Sequence, residues 1–139
     1  MNIDSIRNGV VIDHITAGGA MKLYELLKLD ELDASVAIIK NAVSRKMGRK
    51  DIINIDADFP VDLDVIGYAE PGATVNIIRD GALAEKRVIE MPERLTNVLK
   101  CRNPRCITQT EQELDHIFLL TDRALKIYSC IYCETKAKS

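Results

Sequence analysis

Four cysteines, the only ones in the chain, fall in its last forty residues: Cys101 and Cys106 with four residues between them, then Cys130 and Cys133 with two. Two close pairs on separate turns can converge on one ion, because each short loop presents two thiolates while its backbone amides soften their charge. Four thiolates with no spare ligand describe a closed tetrahedral site, hence structural rather than catalytic chemistry. One structural zinc per chain is the expected occupant, and iron is the alternative that spacing alone does not separate. A redox pair would place C-x-x-C at a helix start after a strand, whereas Cys130 follows Leu125, Ile127 and Tyr128 near the chain end. His116 is not needed as a fifth ligand and is read as a loop histidine.

The pieces that hold these cysteines must be sought in a chain of 139 residues and 15.5 kDa, enough for one medium domain or two small ones. A hydrophobic content of 47% fits a folded protein, and a net charge of -2 with a pI near 5.7 argues against wholesale binding of nucleic acid or an anionic membrane. The N-terminal MNIDSIRNGVVIDHI lacks the features of a secretory signal, and no apolar run approaches the ~20 residues of a spanning helix. A cytoplasmic chain is expected, where thiols stay reduced, which makes disulfides the weaker use of the cysteines.

Residues 8–15, rich in Val and Ile, read as a strand broken at Ala17-Gly18-Gly19. Met21, Leu23, Tyr24, Leu26, Leu27 and Leu29 then recur at helical spacing. Strands are expected over 34–44 and 51–56 around Arg45-Lys46-Met47-Gly48, a second helix from Pro60 to near Pro71-Gly72, and two more strands around the turn signal Asp80-Gly81. The order β-α-β-β-α-β plus one strand predicts an α+β chain whose N-terminal domain is ferredoxin-like, an antiparallel sheet with two helices on one face, followed by a small all-β zinc-binding domain. The expected boundaries are 1–91, a connector over 92–99 with Leu95, Val98 and Leu99 at helical spacing, and 100–139 for the zinc domain. Residues 100–139 are too few to fold on apolar burial alone, so metal binding is expected to supply much of their folding energy.

Residues beyond the cysteines add little chemistry of their own. There is no Ser/His/Asp constellation and no phosphate-cradling glycine loop, which argues against an enzyme. Lys100, Arg102 and Arg105 surround the first knuckle with positive charge, but Glu111, Glu113, Asp115 and Glu134 intersperse it with acids. A stand-alone zinc-ribbon protein acting on nucleic acid is the rival reading, and a protein partner is preferred.

Longer stretches are more specific. VVIDHI at 10–15, MGRKDIINI at 47–55, ATVN at 73–76, MPERLTNVLKC at 91–101 and CIYCE at 130–134 closely resemble the regulatory chains of aspartate carbamoyltransferase, in the same order and with the same cysteine pattern. The resemblance implies a non-catalytic subunit in pyrimidine biosynthesis: an N-terminal allosteric domain that binds CTP, UTP and ATP, and a C-terminal zinc domain that grips the catalytic chain. It implies a homodimer formed through the allosteric domains, with carbamoyl transfer on the other chain. By motif match it places Ile6, Val11, Asp13, His14, Ile52, Asn76, Ile78, Leu83 and Lys86 at the nucleotide, and Asn103 and Glu134 against the catalytic chain.

Physics shapes those assignments. A polyphosphate needs a point charge, which Lys86 supplies, whereas an isolated Asp13 would repel phosphate and suits ribose hydroxyls better. Asp13 and His14 are adjacent, and neighbouring strand residues point to opposite faces unless the strand is irregular. The sequence also departs from the family pattern: Asn54 stands where a second pocket lysine is expected, Gly81 where a tyrosine is, and Arg105 where an asparagine is. Losing a cation and an aromatic weakens phosphate attraction and packing, and so bears on which nucleotides bind and with what effect.

Overall fold

The computed structural model describes residues 6–137 and divides into two compact units, 1–90 and 91–139. In the first, β1 (Gly9–Thr16), α1 (Ala20–Leu26), β2 (Ser35–Ser44), β3 (Gly48–Asp56), α2 (Leu63–Ala69), β4 (Thr74–Arg79) and β5 (Ala82–Val88) follow the predicted order. Every paired strand is antiparallel and the sheet order is β2-β3-β1-β4-β5, the ferredoxin-like arrangement with β5 added beside β4.

Strand alternation sorts the residues between two faces. Ile12, Ile53 and Val75 are cross-strand partners and fully buried, as are Ile15, Ile55, Leu23 and Ile66. Asp51 shares the side of Ile53 and bonds the backbone of Ala20 at the start of α1, which fixes this as the helix-covered side. Val11, by contrast, belongs to a separate small cluster with Ile6 and Ile78, against which Ile52 packs. At Gly9 any side chain would run into the Ile55 carbonyl and Ile6.

Local chemistry sets the element ends. The Asp62 carboxylate caps α2 by accepting from the amides of Asp64 and Val65, at 3.0 and 3.3 Å, so the helix starts at Leu63 rather than at Pro60. Asp80 and Gly81 both have positive φ, 53° and 77°, as a two-residue primed turn requires. Helix α1 is shorter than the apolar spacing suggests: Lys28 turns left-handed and a 3-10 turn over Leu29–Glu31 follows. The buried stripe is Ala20, Leu23 and Leu27, and Met21 is exposed.

The second unit is a three-stranded antiparallel sheet, β6 (Arg94–Thr96), β7 (Ile117–Asp122) and β8 (Ile127–Cys130), in that order, with the first cysteine loop and a 3-10 turn (Ile107–Gln109) between β6 and β7. The helical spacing of Leu95, Val98 and Leu99 is overturned here. Leu95 is a strand residue paired with Phe118, and both are buried with Tyr128. Three apolar residues in eight fit either period, and the distant strand decides. The Tyr128 hydroxyl donates to the Pro92 carbonyl at 2.6 Å, tying the start of this segment to β8.

Candidate functional site

The two cysteine loops meet beside the small sheet. Asn97, at positive φ just after β6, donates its backbone N–H to the His116 carbonyl at 2.7 Å and accepts the His116 N–H on its side chain at 2.9 Å. The first loop is thereby closed against the entry to β7. Within it the Cys106 amide bonds the Asn103 carbonyl and the Gln109 side chain donates to the Cys101 carbonyl at 2.6 Å. The second loop continues from β8, closed by the Glu134 amide on the Cys130 carbonyl at 2.9 Å.

The four sulfurs lie within 4.8 Å of one another. Two of the contacts cross from one loop to the other, Cys101 to Cys133 at 3.5 Å and Cys106 to Cys130 at 3.8 Å. Disulfide sulfurs stand about 2 Å apart. A tetrahedral ion with bonds of about 2.3 Å spaces its thiolates by about 3.8 Å, the separation found here. His116 is outside the group and accepts, through Nδ1, from the Cys101 amide at 3.4 Å.

Burial pushes the Cys101 thiol up to about 12 and also raises that of Cys130, against the pull of backbone amides in their loops. Cys133, the least buried of the four, is lowered to about 6 by the Thr135 hydroxyl, 3.2 Å from its sulfur. Thr108 donates to the Cys106 sulfur at 3.2 Å. Sulfur donors without a lysine or arginine among them need a cation to hold four thiolates together, and the donor set fits one zinc. The bound ion supplies a rigid closed centre and folding free energy.

The helix-free face of the larger sheet carries the other candidate residues. Ala37, Asn54, Val11, Asn76 and Lys86 form one row of register partners across all five strands. Ile6, Val11, Ile78 and Ile52 make the apolar patch beside it, and Leu83 pairs with Ile78 while 56% exposed. The Asn76 side-chain oxygen is buried and has no hydrogen-bond partner among the described residues. Lys86 is exposed, and Asn54 is buried at 3% exposure.

A bulge in β1 resolves the geometry of Asp13 and His14. Register slips between Ile12 and Ile15, and His14 adopts φ 58°. Asp13 pairs with Thr74, and His14 Nδ1 also reaches Thr74 Oγ1 at 3.0 Å, so both side chains meet on one face. Lys50 closes the group with an ion pair to Asp13 at 2.9 Å. Sequence reasoning missed Lys50, Thr74 and Asp51. Lys50 sits in the quoted MGRKD stretch, two residues before Ile52 on the same face, so strand alternation alone offered the signal.

Asn103 lies inside the first cysteine loop, and Glu134 directly follows the last cysteine. Asn103 accepts the Arg105 amide on its side chain at 3.0 Å, and Glu134 is exposed at φ 62°. Ile107, Ile131 and Tyr132 are exposed apolar residues of the same loops.

The chain thus carries a ferredoxin-like unit and a four-cysteine metal unit, each matched by a family model. Residues 1–90 match the family model of the aspartate carbamoyltransferase regulatory chain, allosteric domain, and residues 93–139 that of its metal binding domain. The chain is 44% identical to the aspartate carbamoyltransferase regulatory chain of Clostridium acetobutylicum over 134 residues, 96% of this chain and 92% of that one. Identity to the regulatory chain of Bifidobacterium longum is 41% over 138 residues, 99% of each. The chain belongs to the family of aspartate carbamoyltransferase regulatory chains, non-catalytic subunits with an allosteric and a metal-binding domain. Among the described residues no helix is long and apolar enough to cross a membrane.

Proposed function

We propose that the helix-free face of the larger sheet binds CTP, UTP and ATP, and that the metal unit passes their effect to a catalytic chain of aspartate carbamoyltransferase in the cytoplasm. The observation that carries this reading is the buried, unpartnered Asn76 oxygen in the row between Val11 and Lys86. A buried acceptor without a donor costs about 1–3 kcal/mol, a penalty that a ligand N–H or O–H removes.

Around it the roles divide by chemistry. Lys86 attracts the phosphates as a point charge, and Lys50 joins it when it leaves Asp13. Asp13 is then free to accept from ribose hydroxyls, while the His14 ring adds an N–H donor. Ile6, Val11, Ile52, Ile78 and Leu83 pack the base. Asn54, a neutral amide between Ala37 and Val11 in the row, contributes no charge, so affinity rests on fewer cations than the family pattern provides.

Two chains pair through edge strand β2, ten residues with apolar side chains on both faces and one edge unpaired among the described residues. Asn103 and Glu134 bind the catalytic chain from loops that the metal already holds rigid, which lowers the ordering cost of docking. No nucleic acid is bound: the net charge is -2 and acids intersperse the basic residues of the metal unit.

Calorimetric titration of CTP, then ATP, into the zinc-loaded chain tests the site. Saturable binding that Lys86→Ala weakens at least tenfold is expected. Absence of binding to the folded, zinc-loaded chain, or binding indifferent to Lys86→Ala, would reject it.

A further inference from the structure

Asp51 is a carboxylate with no exposed surface in β3, the strand between β1 and the edge strand β2. Its Oδ2 accepts the backbone N–H groups of Gly18 and Ala20, at 2.9 and 3.1 Å, and its Oδ1 accepts that of Asn41 at 2.8 Å. Gly18 and Ala20 lie just beyond the β1 bulge that brings Asp13 and His14 together. Asn41, at φ 62°, is the bulged residue of β2, where register with β3 slips between Ile39 and Ala42.

Both bulges therefore flank β3 at the same level, and one side chain fastens both. Ile15 pairs with Asp51 on one side of β3, and Ala42 pairs with Lys50 on the other. Lys50, the next residue, makes the ion pair with Asp13. A bulge leaves an amide outside the ladder, and such an amide needs another acceptor. Asp51 supplies it for Asn41 and pins the exit of β1 with its other oxygen. Three N–H donors on one buried carboxylate form a charge-assisted set that neutral side chains cannot reproduce.

We infer that Asp51 is a positioning residue that couples the ligand face to the β2 edge. A shift of the Asp13–His14 bulge on ligand binding moves Gly18 and Ala20, and through the shared carboxylate it moves Asn41 in β2. The coupling to ligand rests on the nucleotide reading above, whereas the fastening of the two bulges does not.

Amide hydrogen exchange on the zinc-loaded full chain tests both parts. In the wild type, adding CTP is expected to change the protection of Gly18, Ala20 and Asn41 together, with Val36 at the far end of β2 unchanged. A change at Gly18 and Ala20 that leaves Asn41 untouched would overturn the coupling. Without nucleotide, Asp51→Asn is expected to speed exchange at these three amides by about tenfold or more. It is also expected to shift the His14 ring resonances. Ile66→Val, a core change of comparable or smaller cost, leaves both readouts in place. Unchanged exchange at Asn41 in a folded Asp51→Asn chain would refute the fastening. If CTP fails to bind the wild type, the nucleotide reading fails and the coupling to ligand with it, while the nucleotide-free exchange still decides the fastening. Should Asp51→Asn not fold, nucleotide-free exchange of the wild type decides: slow exchange at Gly18, Ala20 and Asn41 is expected from their bonds to Asp51, and unprotected exchange at Asn41 would refute the fastening.

Discussion

The two units build their sites in opposite ways. In the metal unit, four residues of one type from two short loops converge within 4.8 Å, and the loops exist to present them. In the sheet unit, the candidate residues are of many types, spread over β1, β3, β4 and β5, and β1, β3 and β4 also carry core residues on their other face. The first arrangement fails all at once when a ligand is lost. The second loses function one contact at a time while the fold survives.

The largest expected effect follows from breaking the first arrangement. Cys130→Ser removes a zinc ligand from a unit whose fold depends on the ion, a linkage on the order of 10 kcal/mol. Amide spectra should show residues 91–139 collapse while 1–90 keep their dispersion, and metal analysis should show zinc loss. Stoichiometric zinc with an intact second unit would contradict the closed four-thiolate site. Acid should act in the same direction. Burial keeps a proton on Cys101 in the metal-free chain, raised to about 12, so zinc binding must expel it. Competition with a chromophoric chelator should find zinc affinity falling steadily from about pH 8 to about pH 5.

Next in size is the core of the sheet. Ile53→Ala, at a fully buried site, should cost about 2–5 kcal/mol in denaturant unfolding of the first unit and leave zinc content unchanged. Loss of zinc in that variant would mean the units are not independent in stability. Lys86→Ala should leave the fold intact and weaken CTP binding by about 1.5–3 kcal/mol, since an exposed strand lysine contributes charge rather than packing. Smallest is Asp62→Ala, the loss of the α2 cap, at about 1 kcal/mol of stability by thermal or denaturant unfolding, with CTP affinity unaltered.

The same contrast explains what the sequence made legible. Cysteine spacing alone predicted the metal ligands, because identical residues at short range leave few geometries. The ferredoxin-like order was also readable, from strand composition and the Asp80-Gly81 turn. Features set by distant partners were not. Leu95 became a strand residue because Phe118 lies beside it, although its local spacing with Val98 and Leu99 suggested a helix. The left-handed His14 carries no signal in a run of Val and Ile, yet it is what puts His14 on the face of Asp13. Asp51 reads as one more charge next to Lys50, and only the approach of two other backbone segments makes it a buried acceptor.

The claim that ties the two units together is that nucleotide on the sheet face alters the catalytic chains held by the metal unit. The direct test is the affinity of CTP for the assembled enzyme, measured with and without an inhibitor that locks the catalytic chains in their closed state. Allostery requires unequal affinity for the two quaternary states. A clear difference in CTP dissociation constant between them is predicted, and equal constants would contradict the regulatory role.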